Sequence, residues 1–96
     1  SDNDLENISS NDEINLIKGY RVQIVISQNE QELQDVKIEI EKSIDEQTYI
    51  IFELPNYKLR VGNFLNRKEA ENFQKKIVRL GYRTAWVVPT MIEKED

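Results

Sequence analysis

The run Tyr57-Lys58-Leu59-Arg60-Val61-Gly62-Asn63-Phe64 constrains this chain more than any other stretch. Tyr57, Leu59 and Val61 alternate with Lys58 and Arg60 at a period of two, the pattern of a strand with one apolar side. Gly62 and Asn63 close the alternation, and Phe64 stands as an anchor under the turn. A second strand pattern, residues 49–54, lies immediately upstream, separated only by Pro55-Asn56. So short a connection predicts a tight hairpin. Two-residue loops usually need positive φ, which Pro55 cannot supply, so the hairpin is better specified than its turn type. With Pro55-Asn56 as the loop, Leu54 faces Tyr57, Phe52 faces Leu59 and Ile50 faces Val61 on one side of the sheet. Tyr49, Ile51 and Glu53 then face Gly62, Arg60 and Lys58 on the other.

The remaining elements arrange themselves around this hairpin. Residues 20–26 read as a first strand, with Tyr20, Val22, Ile24 and Ile26 inward and Arg21, Gln23, Val25 and Ser27 outward. Asn29 followed by Glu32 is a capping-box pattern opening a helix over about residues 30–43, with an apolar stripe of Leu33, Val36, Ile40 and Ile44. A second helix opens the same way on Asn66 and Glu69. It carries Ala70, Phe73, Ile77 and Leu80 on its buried stripe, gathers Lys75, Lys76 and Arg79 near its end and closes on Gly81. Residues 83–88 form the last strand, stopped by Pro89, with Met91 and Ile92 left to pack nearby. The order βαββαβ predicts an α+β, ferredoxin-like fold: a four-stranded antiparallel sheet with two helices on one face and the first and third strands central.

Ninety-six residues suffice for one domain with a modest core. The net charge of −5 conceals a partition. Residues 1–17 hold Asp2, Asp4, Glu6, Asp12 and Glu13 and no base, and read as an acidic flexible linker. Residues 93–96 read as an acidic tail, and residues 18–92 carry twelve bases and ten acids, close to neutral. Such a balance is no nucleic-acid footprint. With no cysteine and no histidine, disulfides, thiolate metal sites and the commonest general base are all excluded. No apolar run reaches the length of a membrane span, so direct membrane contact by this domain is not expected. A chain opening on Ser1 is expected to derive from a longer, exported or anchored precursor.

Two helices on one face leave the other face of the sheet open. The alternation assigns it Arg21, Gln23, Val25, Ser27, Tyr49, Ile51, Glu53, Lys58 and Arg60. The last strand admits two readings. If Ala85 and Val87 pack under the second helix, Trp86 and Thr84 join the open face; inverted, Trp86 is core. An exposed indole beside Tyr49, Ile51, Gln23 and Arg60 would suit a flat, hydroxyl- and amide-bearing ligand such as a sugar. Catalytic patterns are weak. Glu69 and Glu71 do not share a helix face, Glu53 has Lys58 as a cross-strand partner, and Ser9, Ser10 and Ser27 have no histidine to activate them. Neither an enzyme nor a bound cofactor or metal is expected.

Three motifs then point to a family. Gly19-Tyr20-Arg21-Val22-Gln23-Ile24, the run from Tyr57 to Phe64, and Arg67-Lys68-Glu69-Ala70-Glu71 together resemble the SPOR domain over about residues 18–92. The closing Ala85-Trp86-Val87-Val88-Pro89 is similar to the version found in Bacteroidetes-type envelope proteins. The resemblance implies a non-catalytic peptidoglycan-binding module of the periplasm or cell envelope. Its ligand would be glycan strands stripped of stem peptides, as they accumulate at the division septum, and envelope or division proteins would be possible partners. It puts forward Gln23 and Arg60 as glycan-binding residues on the open face, with Trp86 as a stacking candidate, and the alternation adds Arg21, Ser27, Tyr49, Ile51 and Lys58 around them as further candidates. One departure stands out: Val25 and Ile26 occupy positions where many members have a small Gly-Ser pair, which predicts an altered groove at that edge. The rival readings are a protein-interaction domain pairing through the same face and an RNA-recognition module; the third strand lacks the outward aromatics the latter needs.

Overall fold

The computed structural model describes residues 15–94. Strand β1 (Leu16–Ser27) leads to helix α1 (Glu30–Glu41), the hairpin β2 (Thr48–Glu53) and β3 (Asn56–Phe64), helix α2 (Arg67–Arg79) and strand β4 (Trp86–Glu93). The sheet is antiparallel in the order β2-β3-β1-β4, so the ferredoxin-like arrangement holds, with the first and third strands central. The helices pack on one face over Val22, Ile24, Leu59, Val61 and Val87, to which α1 contributes Leu33 and Ile40 and α2 contributes Ala70, Phe73 and Ile77. Each fully buried aliphatic side chain here contributes about 1.5–3 kcal/mol.

Both helices start and stop for local reasons. Asn66 Oδ1 accepts from the Glu69 amide at 2.9 Å, capping α2. At the other end Gly81, at φ +111, lets the Tyr82 amide reach Ile77 O and the Gly81 amide reach Val78 O, a Schellman closure. Leu80, expected on the buried stripe, lies past the last helical turn and is exposed. The start of α1 differs from the simple capping box: Asn29 Oδ1 accepts from the Gln31 amide, and Ser27 Oγ accepts from the Asn29 amide while donating to Glu32.

The hairpin register is offset by two from expectation. Glu53 pairs with Asn56, Phe52 with Tyr57 and Ile50 with Leu59, so Leu54 and Pro55 form the turn. A slip of two keeps every side chain on its expected face. It brings Phe52 and Tyr57 together at a ring separation of 4.7 Å and leaves Leu54 in solvent.

Two bulges have larger consequences. In β3, Gly62 and Asn63 stand where β1 offers only Arg21, between the pairs Tyr20–Phe64 and Val22–Val61. Gly62 adopts φ +89, and its missing side chain leaves room for the Phe64 ring, which a Cβ would meet at 2.2 Å. In β1, Ile24 is the extra residue between the pairs Gln23–Arg60 and Val25–Leu59. Ile24 and Val25 therefore both turn toward the helices, and the alternation inverts beyond them. The expectation that Val25 faces outward and Ile26 inward is thus reversed.

The outer strands also run further than their sequence patterns. β1 begins at Leu16, which pairs with Glu93, so Leu16 and Ile17 belong to the sheet. The expected acidic linker otherwise falls on residues 1–14, outside the described residues. β4 begins only at Trp86 and continues through Pro89, opposite Tyr20, to Glu93. On the outermost strand an N–H that points away from the sheet makes no ladder bond, so a proline is tolerated there.

Candidate functional site

The register of the four strands lines up Trp86, Gln23, Arg60 and Tyr49 in one row across the face opposite the helices. At ordinary strand spacing the row spans about 14 Å. Trp86 stands on the outermost strand with 57% of its surface exposed, while Ala85 and Val87 beside it are buried. This is the open-face alternative for the last strand. Gln23 is only 4% exposed, and its side-chain oxygen accepts a 2.9 Å hydrogen bond from Arg60 Nε. Behind Arg60, Glu53 Oε1 lies 3.9 Å from the guanidinium and forms a closer ion pair with Lys58. The ammonium of Lys58 is the first cause, and the nearby Arg60 a smaller one, of a Glu53 carboxyl held below the usual range. The next row is Ile26, Lys58 and Ile51.

A groove of about 270 Å³ opens between Trp86 and the far end of β1, lined by Gln23, Ile24, Val25, Ile26, Thr84 and Trp86. It exists because β4 begins at Trp86 and pairs with β1 no further than Gln23. Beyond that point the edge of β1 is bridged only by Thr84, whose hydroxyl donates to Ile24 O at 3.3 Å, among the described residues. The Ile24 bulge delivers Ile26 to the sheet face next to this groove, 48% exposed.

The eight expected site residues divide into three groups. Gln23, Arg60, Trp86 and Tyr49 share the row, and Ile51 and Lys58 flank it. Arg21 lies on the same face but is 7% exposed. Its guanidinium stacks 3.7 Å from the Tyr49 ring centroid and donates to Gly62 O at 3.2 Å and to Asn63 Oδ1 at 3.0 Å. Burial lowers its pKa, and the hydrogen-bonding groups of this clamp hold the cation in place. Asn63 in turn donates to Tyr49 Oη at 2.7 Å and accepts from the Glu93 amide. Arg21 therefore splints the bulged part of the sheet. Ser27 is a correction: pairing with Tyr57 sets it on the helix side, where it hydrogen-bonds to the N-cap residue Asn29 and to Glu32 of α1. The reason is the Ile24 bulge, which shifts the parity of everything after it. The sequence reading missed Ile26 as an open-face residue for the same reason, and no residue type in β1 signals a bulge. By sequence Asn63 reads only as a turn residue, and its place after Gly62 is the one hint of its role.

The chemistry of this face follows from its charges. Lys58 and Arg60 share Glu53, and Arg21 is enclosed by its own uncharged partners, so the face carries three cations against one carboxylate and presents an indole, an amide, a guanidinium and a phenol. Such a surface can stack on a ring and exchange hydrogen bonds with hydroxyl and amide groups. Among the described residues no group of three or more Asp and Glu side chains could hold a metal ion. No helix among them is long and apolar enough to cross a membrane. No curated protein and no solved structure matches the chain. The family model described as the SPOR domain matches residues 17–89, and on that match, with the βαββαβ sheet in place, the chain belongs to the SPOR-domain family.

Proposed function

We propose that this domain is a non-catalytic binding module that holds an envelope protein to peptidoglycan through the open face, recognising glycan strands that lack stem peptides. SPOR is a family of binding domains known for peptidoglycan. The observation that carries the reading is the row of Trp86, Gln23, Arg60 and Tyr49, with the groove beside Trp86. The indole stacks on a sugar ring, Arg60 donates to hydroxyl or amide oxygens, and Gln23 fixes the Arg60 side chain while its own amide borders the groove. Two of the three cations on this face share Glu53 and the third, Arg21, is enclosed, which favours a glycan over a phosphate-rich polymer that would call for several unshared cations. Ile26, in place of a smaller residue, adds an apolar wall suited to the C–H face of a sugar.

A pull-down of the domain with intact sacculi and with amidase-treated sacculi tests this. Amidase treatment should raise the bound fraction, and acrylamide should quench Trp86, the only tryptophan, less when glycan is bound. Equal retention on both preparations, with Trp86 quenching unchanged, removes the denuded-glycan reading. Release of soluble muropeptides by the pure domain removes the non-catalytic one.

A further inference from the structure

On the helix side of the β1–β4 edge, away from the glycan face, lies an apolar groove of about 500 Å³. Its lining includes Lys18, Tyr20, Leu65, Pro89 and Met91, and Leu65 and Met91 are exposed, with 66% of Leu65 in solvent. Nothing among the described residues covers it. We propose that this groove seats the chain's own preceding segment, residues 1–14, with Leu5 and Ile8 against Leu65 and Met91 and its carboxylates toward the cations on the rim.

Three observations select this occupant. The first is position. Residue 15 immediately precedes β1, and Lys18 and Met91 pair only two residues into that strand, about 7 Å along it. Fourteen residues reach about 45–50 Å, which is ample even after the chain reverses direction. The second is charge. Residues 1–14 carry Asp2, Asp4, Glu6, Asp12 and Glu13 and no base. The rim carries Lys18 and Arg67, whose guanidinium lies 5.7 Å from the Tyr20 ring centroid and is engaged by Glu71 at 3.5 Å. The third is apolar content. Leu5 and Ile8 lie three apart, so they share a side in a helical turn, and both are flanked by polar residues. A tethered segment meets the groove at an effective concentration of order mM, so even a weak site is substantially filled, whereas a free partner or second copy at micromolar concentration is not.

Two features of the full chain make the test clean: Met91 is the only methionine and there is no cysteine. With ¹³C-methyl methionine the chain gives one methyl signal, from the groove itself. A nitroxide on Ser9→Cys should broaden that signal strongly. The pair Leu5→Asp and Ile8→Asp, in a segment outside the described fold, should restore most of its intensity. Mixing labelled unenriched chain with enriched unlabelled chain should leave the signal sharp. A Met91 signal of full intensity in the labelled chain overturns the proposal. So does broadening in the mixed sample, which assigns the groove to a second copy. Broadening that survives both substitutions but disappears at high salt also overturns it, by reducing the contact to charge alone.

Discussion

Arg21 and Arg60 sit two strands apart in sequence pattern yet on neighbouring strands of one face, and they illustrate two fates for the same side chain. Arg21 is enclosed between Tyr49, Gly62 O and Asn63. Arg21→Ala is expected to cost about 2–3 kcal/mol, because it removes charge-assisted hydrogen bonds and strands a buried carbonyl. Arg60 donates to Gln23 and stands in the row proposed to meet the glycan, its side chain 11% exposed. Its loss is expected to cost about 1 kcal/mol of stability, somewhat more than a surface residue, because Gln23 is buried. Chemical denaturation measures both, and retention on amidase-treated sacculi separates them: Arg60→Ala should weaken binding with the fold intact. A well-folded Arg60→Ala domain that binds as before would move the ligand off this row.

Elements of this fold are delimited by single polar atoms, and the start of α1 shows how that redirects a functional reading. Ser27 Oγ holds the Asn29 amide at 3.0 Å and donates to Glu32 at 2.8 Å. Ser27→Ala is therefore expected to loosen the entry into α1 by removing the hydrogen bonds that hold Asn29 and Glu32, costing about 1 kcal/mol, with sacculus binding unchanged. Weakened binding at unchanged thermal midpoint would return Ser27 to the ligand set. The strands show the same economy of cause. One extra residue at Ile24 turns Val25 toward the core, exposes Ile26 and moves Ser27 to the helix side. One positive-φ glycine, Gly62, sets the bulge from which Arg21 is clamped.

For the molecule as a whole, the pH response is set by links between layers. The Glu41 carboxylate accepts from the buried Thr48 hydroxyl at 2.6 Å and pairs with Lys37 at 3.1 Å, joining α1 to β2. These contacts, the Thr48 hydrogen bond first, hold its pKa below the ordinary carboxylate value, and Lys58 does the same for Glu53. A depressed folded-state pKa contributes stability that is fully present above the unfolded value of about 4.3 and is lost as pH falls through the lower folded value. Urea unfolding should therefore show stability level above about pH 5 and falling below about pH 4. Glu41→Gln should shallow that fall, and an unaltered slope would show that the α1–β2 link does not titrate. The local chemistry of the chain sufficed for the element order, both helices with their caps, the hairpin, the central place of β3 and the membership of Gln23, Arg60, Tyr49, Ile51 and Lys58 in one open face, while it left Trp86 with two alternatives that the packing of Ala85 and Val87 decided. Those follow from periods of 2 and 3.6 and from residues that cap or break, all of which act over a few neighbours. The hairpin register, the continuation of β4 through Pro89, the burial of Arg21 and the fate of Val25, Ile26 and Ser27 depended on the assembled sheet. The hairpin register is decided by which two residues make the turn, and the others by which strand lies opposite and by where a bulge inserts one residue; pairing partners thirty or more positions apart leave no mark on the local alternation.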